Sequence, residues 1–254
     1  MLERSPRFTA LGWVHGFTTR LGGVSTGRYA TLNMGGKWGD DPAAVLSNRA
    51  RVAAAAGFDP DDLRLVRQVH GAAVARSARA TPDTEADAVW CHRDDGHDVV
   101  AVLTADCVPI LLADRDGHVA CAVHSGWRGT VANVVGAAVS TLRDEAGIAP
   151  ERLVAAIGPC IERAAFEVGP EVAACFPEAF VERRGAALHV DLVAAVRRQL
   201  EDAGVAADAI ERVGGCTHAN PERYFSYRRD GAGIGQMMAF VGLPRDVAPK
   251  RTGA

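Results

Sequence analysis

The chain of 254 residues is 48% hydrophobic, which is enough to bury the core of one large domain. Its net charge is −3, whereas a protein that binds nucleic acid or a membrane surface usually carries a clustered basic face, so neither is an expected partner. Chemistry on a small-molecule substrate fits this composition better. Because the first residues lack the apolar core of a secretory signal and no apolar run reaches membrane-spanning length, we expect a cytoplasmic protein.

The pattern of turn residues and apolar positions predicts an α+β protein with mixed, mainly antiparallel sheets and flanking helices, folded as one domain over residues 1–254. Turns at Asp94–Gly96 and at Asp116-Gly117 predict antiparallel hairpins. Residues 246–254 are expected to form a flexible tail. The predicted strands are 8–20, 63–70, 72–76, 86–90, 98–104, 110–113, 119–123, 153–157, 209–213 and 236–242. The predicted helices are 41–57, one from Thr130 to about 146, 170–176 and 191–203.

Two apolar strands each deliver one reactive side chain where the apolar sequence is interrupted. Cys107 lies in Thr104-Ala-Asp-Cys-Val-Pro109, and His124 opens His124-Ser-Gly-Trp-Arg-Gly-Thr130. A third side chain of this kind, His70, ends the strand predicted before Gly71. A thiol and an imidazole at neighbouring strand ends can activate the sulfur as a nucleophile, hold a soft metal or form inert core.

The set of Cys107, His70 and His124 resembles the ligands of a catalytic zinc with one open position. Zinc would hold Cys107 as a thiolate and lower the pKa of a bound water. Without zinc, either histidine could act as the base for a Cys107 nucleophile, oriented by Asp106. Copper is less favoured because multicopper oxidation needs more histidines, usually in His-x-His pairs, and this sequence has no such pair.

Other residues offer further candidate sites. Arg128 and the backbone amides of the helix that begins near Thr130 predict an anion-binding site. Cys91-His92 with His97 is interpreted as a solvated hairpin tip rather than a metal site, and Gly231–Gly235 as a turn rather than a dinucleotide loop. The remaining histidines have no partners at ligand spacing and are expected to be ordinary; they are His15, His118, His189 and His218. Most of the six cysteines are expected to be buried hydrophobes.

Several blocks of sequence together resemble the laccase-domain family, also called the polyphenol-oxidase or peptidoglycan-editing-factor family. These blocks span nearly the whole chain in order. They are Phe17-Thr-Thr-Arg-Leu-Gly-Gly-Val-Ser25, Gly39-Asp-Asp41 with Asn48-Arg49, Gln68-Val-His-Gly71, Thr104-Ala-Asp-Cys-Val-Pro109, His124-Ser-Gly-Trp-Arg-Gly-Thr130, Ile157-Gly-Pro-Cys-Ile161 and Phe225-Ser-Tyr-Arg-Arg-Asp-Gly231. The sequence departs from many relatives at Gly233-Ile-Gly235, where they have Thr-Gly-Arg.

The resemblance implies a fold related to a bacterial deamidating-toxin cysteine hydrolase and a zinc site on His70, Cys107 and His124. It also implies phosphorolysis of purine nucleosides, namely adenosine, inosine and methylthioadenosine, and deamination of adenosine. Phosphate is expected to bind Arg128 together with Arg20. The alternatives are a cysteine-type amide hydrolase that edits a peptidoglycan precursor and, less favoured, a copper-dependent polyphenol oxidase.

Overall fold

The computed structural model describes residues 1–96 and 98–244. Its α-helices are α1 (Pro6–Ala10), α2 (Pro42–Ala56), α3 (Trp127–Val131), α4 (Val134–Ala146), α5 (Pro170–Ala173), α6 (Leu192–Asp202) and α7 (Tyr227–Asp230). Its strands are β1 (Leu2–Glu3), β2 (Val14–Thr18), β3 (Leu63–Arg64), β4 (Val74–Arg76), β5 (Ala88–His92), β6 (Val99–Thr104), β7 (Val108–Asp114), β8 (Val119–Ser125), β9 (Leu153–Ile157), β10 (Glu167–Val168), β11 (Val181–Arg184), β12 (Ala187–Val190), β13 (Ile210–Arg212) and β14 (Met237–Gly242). No helix among these residues is long and apolar enough to cross a membrane.

The strands form three sheets. A five-stranded sheet has the order β1-β2-β14-β6-β3, and a six-stranded sheet has the order β13-β9-β7-β8-β5-β4. A small sheet has the order β10-β12-β11. Most neighbouring strands are antiparallel; the parallel pairs are β3 with β6, β4 with β5, and β9 with β13. The predicted α+β class with mixed, mainly antiparallel sheets is confirmed.

The two large sheets pack face to face between layers of helices. Strand β6 shows this arrangement, because its side chains alternate between two faces. Val100 and Val102 contribute to the core shared with the six-stranded sheet, whereas Val99 and Ala101 pack in a second cluster with residues of α2. Helices α4 and α6 cover the far side of the six-stranded sheet. Strands β7 and β8 are therefore buried along their whole length.

The sequence signals for two helices act as predicted. The Asp41 side chain accepts a hydrogen bond from the Ala43 amide at 3.0 Å at the start of α2, and Gly57 ends this helix with a φ of +81°. At the start of α6, the Asp191 carboxylate accepts from the Ala194 amide at 2.9 Å. These caps satisfy donors that the first turn of a helix cannot pair internally.

One predicted hairpin is confirmed and the other is wrong. The Asp116-Gly117 turn joins β7 to β8 in an antiparallel pair, with Leu112 opposite Cys121. The Asp94–Gly96 turn instead leads from β5 in one large sheet to β6 in the other. Both of these strands are apolar on two faces, so the turn crosses between packed layers rather than folding a strand back on its neighbour.

The strand predicted over 8–20 is wrong at its beginning, because α1 occupies its first residues. The Ser5 side chain accepts from the Phe8 amide at 3.1 Å, and Pro6 is the first helical residue. The strands predicted over 63–70 and 72–76 are also shorter, since only β3 and β4 remain. The residues between them form a loop, which carries His70.

The helix predicted from Thr130 begins earlier and is broken in two. Asn133 separates α3 from α4 with a φ of +57°, and its side chain accepts from the Gly136 amide at 3.2 Å. The small sheet was not predicted at all, because its strands are only two to four residues long. The tail 246–254 lies outside the described residues.

Candidate metal centre

The open end of the β7–β8 hairpin brings the candidate residues together. His124 lies opposite Pro109 and Ser125 opposite Val108, so Cys107 immediately precedes β7 beside the end of β8. His70 approaches from the loop between β3 and β4, where its φ is +62°. The sequence placed His70 at a strand end; the structure places it in a loop that other residues must hold in shape.

The three donor atoms converge. The Sγ of Cys107 lies 3.8 Å from Nε2 of His70, and one ligand atom from each of the three residues lies within 4.8 Å of the others. The two imidazole rings meet edge to face, with centroids 4.8 Å apart. Around a tetrahedral zinc, a thiolate sulfur and an imidazole nitrogen are about 3.6 Å apart. One thiolate and two imidazoles in this arrangement therefore fit zinc.

Gly126 allows two of the site's side chains to pack closely against its backbone. A Cβ at this position would lie 2.9 Å from the Cys107 Sγ and 2.9 Å from Cδ2 of His70. The backbone of Gly126 has a φ of −75°, which any residue can adopt. Glycine is therefore required here for space and not for backbone conformation.

Asp87 organises the site and was missed by the sequence analysis. Its carboxylate accepts hydrogen bonds from the amides of Val69, His70 and Gly71 at 3.2, 2.9 and 2.6 Å. The same carboxylate accepts from Nδ1 of His124 at 2.8 Å, and the Asp87 carbonyl accepts from the His124 amide at 2.7 Å. A charged residue inside the apolar strand predicted over 86–90 was the available signal, since a buried charge needs partners.

Asp106 does not take the orienting role predicted for it. Its carboxylate accepts from the Thr217 hydroxyl at 2.5 Å and from the Arg228 amide at 2.8 Å. These bonds fix the chain just before Cys107 to Thr217 and to helix α7. The carboxylate that orients an imidazole at this site belongs to Asp87, because it accepts from Nδ1 of His124 and so directs Nε2 toward the metal-binding side.

Electrostatics at the site of the metal-free protein favour a Cys107 thiolate beside a His124 imidazolium. Burial alone would raise the pKa of the Cys107 thiol, but the neighbouring His124 and His70 lower it to about 6. Burial disfavours the imidazolium of His124, yet Cys107 and Asp87 raise its pKa to about 9. Burial also opposes ionisation of Asp87, and the hydrogen bonds from His124 and Gly71 outweigh it and lower the Asp87 pKa.

The other cysteines have different surroundings. Burial raises the pKa of the Cys91, Cys121 and Cys160 thiols, so these behave as small core residues. Cys216 is also buried, whereas Cys175 is exposed and donates to the Glu171 carbonyl at 3.3 Å. Cys107 thus differs from Cys91, Cys121 and Cys160, because two imidazoles lower its pKa against the effect of burial.

The two arginines predicted to bind phosphate have unlike environments. Arg128 is exposed on α3, with its guanidinium carbon 4.2 Å from the centroid of the Trp127 ring, and it forms no ion pair with any residue that the structure describes. Arg20 donates to the Ala30 carbonyl at 3.0 Å and to the Pro221 carbonyl at 2.9 Å. Burial, with Arg229 nearby, lowers the pKa of Arg20.

A second group of ligand-type residues lies at the closed end of the same hairpin. Asp114, Asp116 and His118 also place ligand atoms within 4.8 Å of one another. The buried Asp114 carboxylate accepts from the Asp116, His118 and Val119 amides and from Nδ1 of His118. Asp116 pairs with Arg152. The carboxylate of Asp114 is thus occupied in closing the turn.

The residues set aside in the sequence analysis have local roles. His92 caps the 93–95 turn by accepting from the Asp94 amide at 3.2 Å, and His97 lies outside the described residues. His15 and His189 each bond a backbone carbonyl through Nδ1, at 2.9 and 3.0 Å. Residues 231–236 form a loop before β14, consistent with the predicted turn.

Comparisons with known proteins assign the family. Residues 14–244 match the family described as "Multi-copper polyphenol oxidoreductase laccase". The chain belongs to this family. Among its relatives, the Purine nucleoside phosphorylase of Deinococcus radiodurans is 44% identical over 236 residues, which cover 91% of this chain and 89% of that protein. Purine nucleoside phosphorylase YfiH of Escherichia coli is 37% identical over 89% of this chain and 92% of its own.

Solved structures support the same assignment. YlmD from Geobacillus stearothermophilus superimposes with a TM-score of 0.85 at 31% identity, covering 94% of each chain. YfiH from Bacillus licheniformis gives a TM-score of 0.83 at 27% identity, covering 90% of this chain and 92% of that one. The names of the relatives support an enzyme that acts on purine nucleosides.

Proposed function

We propose that this protein is a zinc-dependent purine nucleoside enzyme that phosphorolyses adenosine, inosine and methylthioadenosine and deaminates adenosine. The observation that carries the proposal is the convergence of the Cys107, His70 and His124 donor atoms, two of whose side chains pack against Gly126. Relatives that align over most of the chain and are named purine nucleoside phosphorylase support the substrate class.

The roles of the site residues follow from their donor atoms. Sγ of Cys107 and Nε2 of His70 and His124 would hold the metal, while Asp87 keeps the proton of His124 on Nδ1. When bound, zinc supplies a Lewis acid that polarises the bond under attack. Gly126 lets the Cys107 and His70 side chains lie against the backbone, because a Cβ here would come within 2.9 Å of both.

Phosphorolysis also requires an anion site. A phosphate oxygen bonds to C1′ of the ribose as the glycosidic bond breaks, and the departing base takes a proton, giving the free base and ribose 1-phosphate. Arg128 projects from α3, which begins directly after Gly126, and its exposed guanidinium can offer two parallel donors to phosphate. Arg20 would contribute the donors that are not committed to carbonyl groups.

Deamination makes a different demand on the same residues. Water adds at C6 of adenine and ammonia leaves, so adenosine becomes inosine without any phosphate. This reaction uses the metal ligands but not the anion site. The two activities can therefore be separated by the presence of phosphate.

The test is a chromatographic assay of purified protein with adenosine, with and without phosphate, combined with metal analysis. We expect about one equivalent of zinc, adenine only when phosphate is present, and inosine in its absence. Cys107→Ala should lose the metal and both activities. Cys175→Ala is the matched control, because it removes an exposed thiol distant in sequence from the site and should change neither.

Two results would contradict the proposal. Turnover that persists in Cys107→Ala would exclude the assigned chemistry. Copper in place of zinc, together with oxidation of a phenol, would favour the activity named in the description of the family.

A cysteine-type amide hydrolase acting on a peptidoglycan precursor is the second candidate. The arrangement of Cys107, His124 and Asp87 favours it. His124 is bonded to the Asp87 carboxylate through Nδ1 and lies beside the Cys107 sulfur. This is the order of nucleophile, base and orienting carboxylate found in triad enzymes. It would also agree with the proposed relation to deamidating-toxin hydrolases.

The second candidate predicts that metal-free protein cleaves an amide-linked muropeptide and that an alkylating reagent blocks this cleavage at Cys107. Activity that survives chelation and is lost on alkylation would support it over the zinc enzyme. A Cys107 that does not react in metal-free protein would exclude it.

A further inference from the structure

The carboxylate of Asp87 connects two segments that are distant in sequence. Its Oδ1 accepts both the His70 amide at 2.9 Å and Nδ1 of His124 at 2.8 Å. Its Oδ2 accepts the Val69 and Gly71 amides at 3.2 and 2.6 Å. Asp87 is fully buried, so four donors of the protein satisfy this charge.

These bonds determine the geometry of both histidines. The amides of three consecutive residues point at one carboxylate, which holds the loop with His70 at its positive φ of +62°. A residue with a side chain adopts this backbone conformation only when its surroundings impose it. The bond to His124 fixes the ring orientation and leaves Nε2 without a proton when the imidazole is neutral.

We propose that Asp87 is a positioning residue that assembles the metal site before the metal arrives, by holding the His70 loop and the His124 ring on one carboxylate. The proposal rests on the proposed function only in taking His70 and His124 as metal ligands. It predicts that the ligand geometry exists in the metal-free protein and that metal affinity depends on a residue that does not touch the metal.

The chain contains a matched control for a merely structural role. Asp114 is also buried, and its carboxylate also accepts three backbone amides and Nδ1 of one histidine, His118. Asp114 lies at the opposite end of the same hairpin. Loss of either carboxylate removes the same number and type of hydrogen bonds, but only loss of Asp87 disturbs the histidines of the candidate site.

The experiment compares Asp87→Asn with Asp114→Asn. In either orientation, the amide of asparagine would turn its NH₂ group toward two of the four donors, so one pair of bonds is lost in each variant. Zinc affinity is measured by competition with a chromophoric chelator, and ligand geometry by the visible spectrum of the cobalt-substituted protein. We expect Asp87→Asn to bind zinc about 10- to 100-fold more weakly and to alter the cobalt spectrum. Asp114→Asn should match the wild type in both measurements.

Equal zinc affinity in wild type and Asp87→Asn would overturn the positioning role, and so would an equal loss in Asp114→Asn. No substrate is used, so a failure to convert nucleosides would contradict the proposed function without affecting this result. If the wild type binds no zinc, both the proposed zinc site and this inference fail.

A second measurement needs no variant and remains decisive if Asp87→Asn does not fold. Nitrogen-15 NMR of histidine-labelled, metal-free wild type should show a proton on Nδ1 of His124, whether or not Nε2 is also protonated. This proton should exchange slowly with water, because its acceptor Asp87 is buried. A proton on Nε2 alone, or rapid exchange at Nδ1, would overturn the proposal.

Discussion

The two ends of the β7–β8 hairpin carry similar chemistry with different outcomes. Each end has a buried aspartate that accepts three backbone amides and a histidine Nδ1, and each has three ligand-type residues within 4.8 Å. At the closed end, all the donors to Asp114 come from residues 116–119, within the turn itself. At the open end, the donors to Asp87 come from residues 69–71 and from His124.

This difference shows what distinguishes a candidate site from a well-bonded turn. At the closed end, the ligand-type atoms bond one another or Arg152, and there is no thiol. At the open end, the Asp87 carboxylate accepts from Nδ1 of His124 and from the backbone amide of His70. The Nε2 atoms of both histidines therefore remain to face the Cys107 sulfur. The proximity of three ligand-type residues is common to both ends and does not by itself indicate a metal site.

We expect the largest difference in zinc binding between the two ends of the hairpin when a glycine at each end is replaced by alanine. Gly126→Ala would place a Cβ against Cys107 and His70 without straining the backbone, and should weaken zinc binding on the order of 100-fold. Gly117→Ala would place alanine at a φ of +81°, which costs about 1 kcal/mol of stability and should leave zinc binding unchanged. Chelator competition and urea unfolding measure the two effects. Normal zinc binding in Gly126→Ala would show that the close packing of Cys107 and His70 against Gly126 is not needed for the site.

A smaller contrast concerns the histidine of the closed end. His118→Ala removes the 2.9 Å bond to Asp114 but leaves the three amides in place, so it should lower the free energy of unfolding by about 1 kcal/mol. Zinc content and nucleoside turnover should not change. Loss of zinc in this variant, measured on the folded protein, would mean that the closed end binds metal and that the comparison is wrong.

A further contrast is expected from the arginines near each end. If Arg128 binds phosphate, Arg128→Ala should raise the KM for phosphate roughly tenfold while zinc content and deamination stay unchanged. Arg152→Ala removes only an exposed pair with Asp116 and should affect neither. An equal loss of phosphorolysis and deamination in Arg128→Ala would instead show that Arg128 supports the structure around His124.

Much of the fold could be predicted because its signals are local. The caps Asp41 and Asp191, Gly57 and the Asp116-Gly117 turn act within a few residues, and the elements that they delimit were predicted closely. The connection at Asp94–Gly96 was predicted wrongly because the same turn chemistry serves a hairpin and a crossing between sheets. Which of these forms depends on packing between distant strands, which a local pattern does not contain.

The candidate site shows the same difference between local signals and contacts of residues that are distant in sequence. Cys107 and His124 could be found because each follows or ends an apolar run, and His70 because a glycine follows it. Asp87 was missed because its partners at residues 69–71 and 124 come together only in the folded chain. Asp106 was given the orienting role because it is adjacent to Cys107 in sequence, yet its carboxylate bonds Thr217 and the Arg228 amide instead.

The most direct test is an anomalous diffraction map, measured at the zinc edge from crystals of zinc-loaded protein. One peak should lie among Sγ of Cys107 and Nε2 of His70 and His124, and no peak should lie among Asp114, Asp116 and His118. A peak at the closed end of the hairpin, or no peak at the open end in protein that contains stoichiometric zinc, would contradict the account.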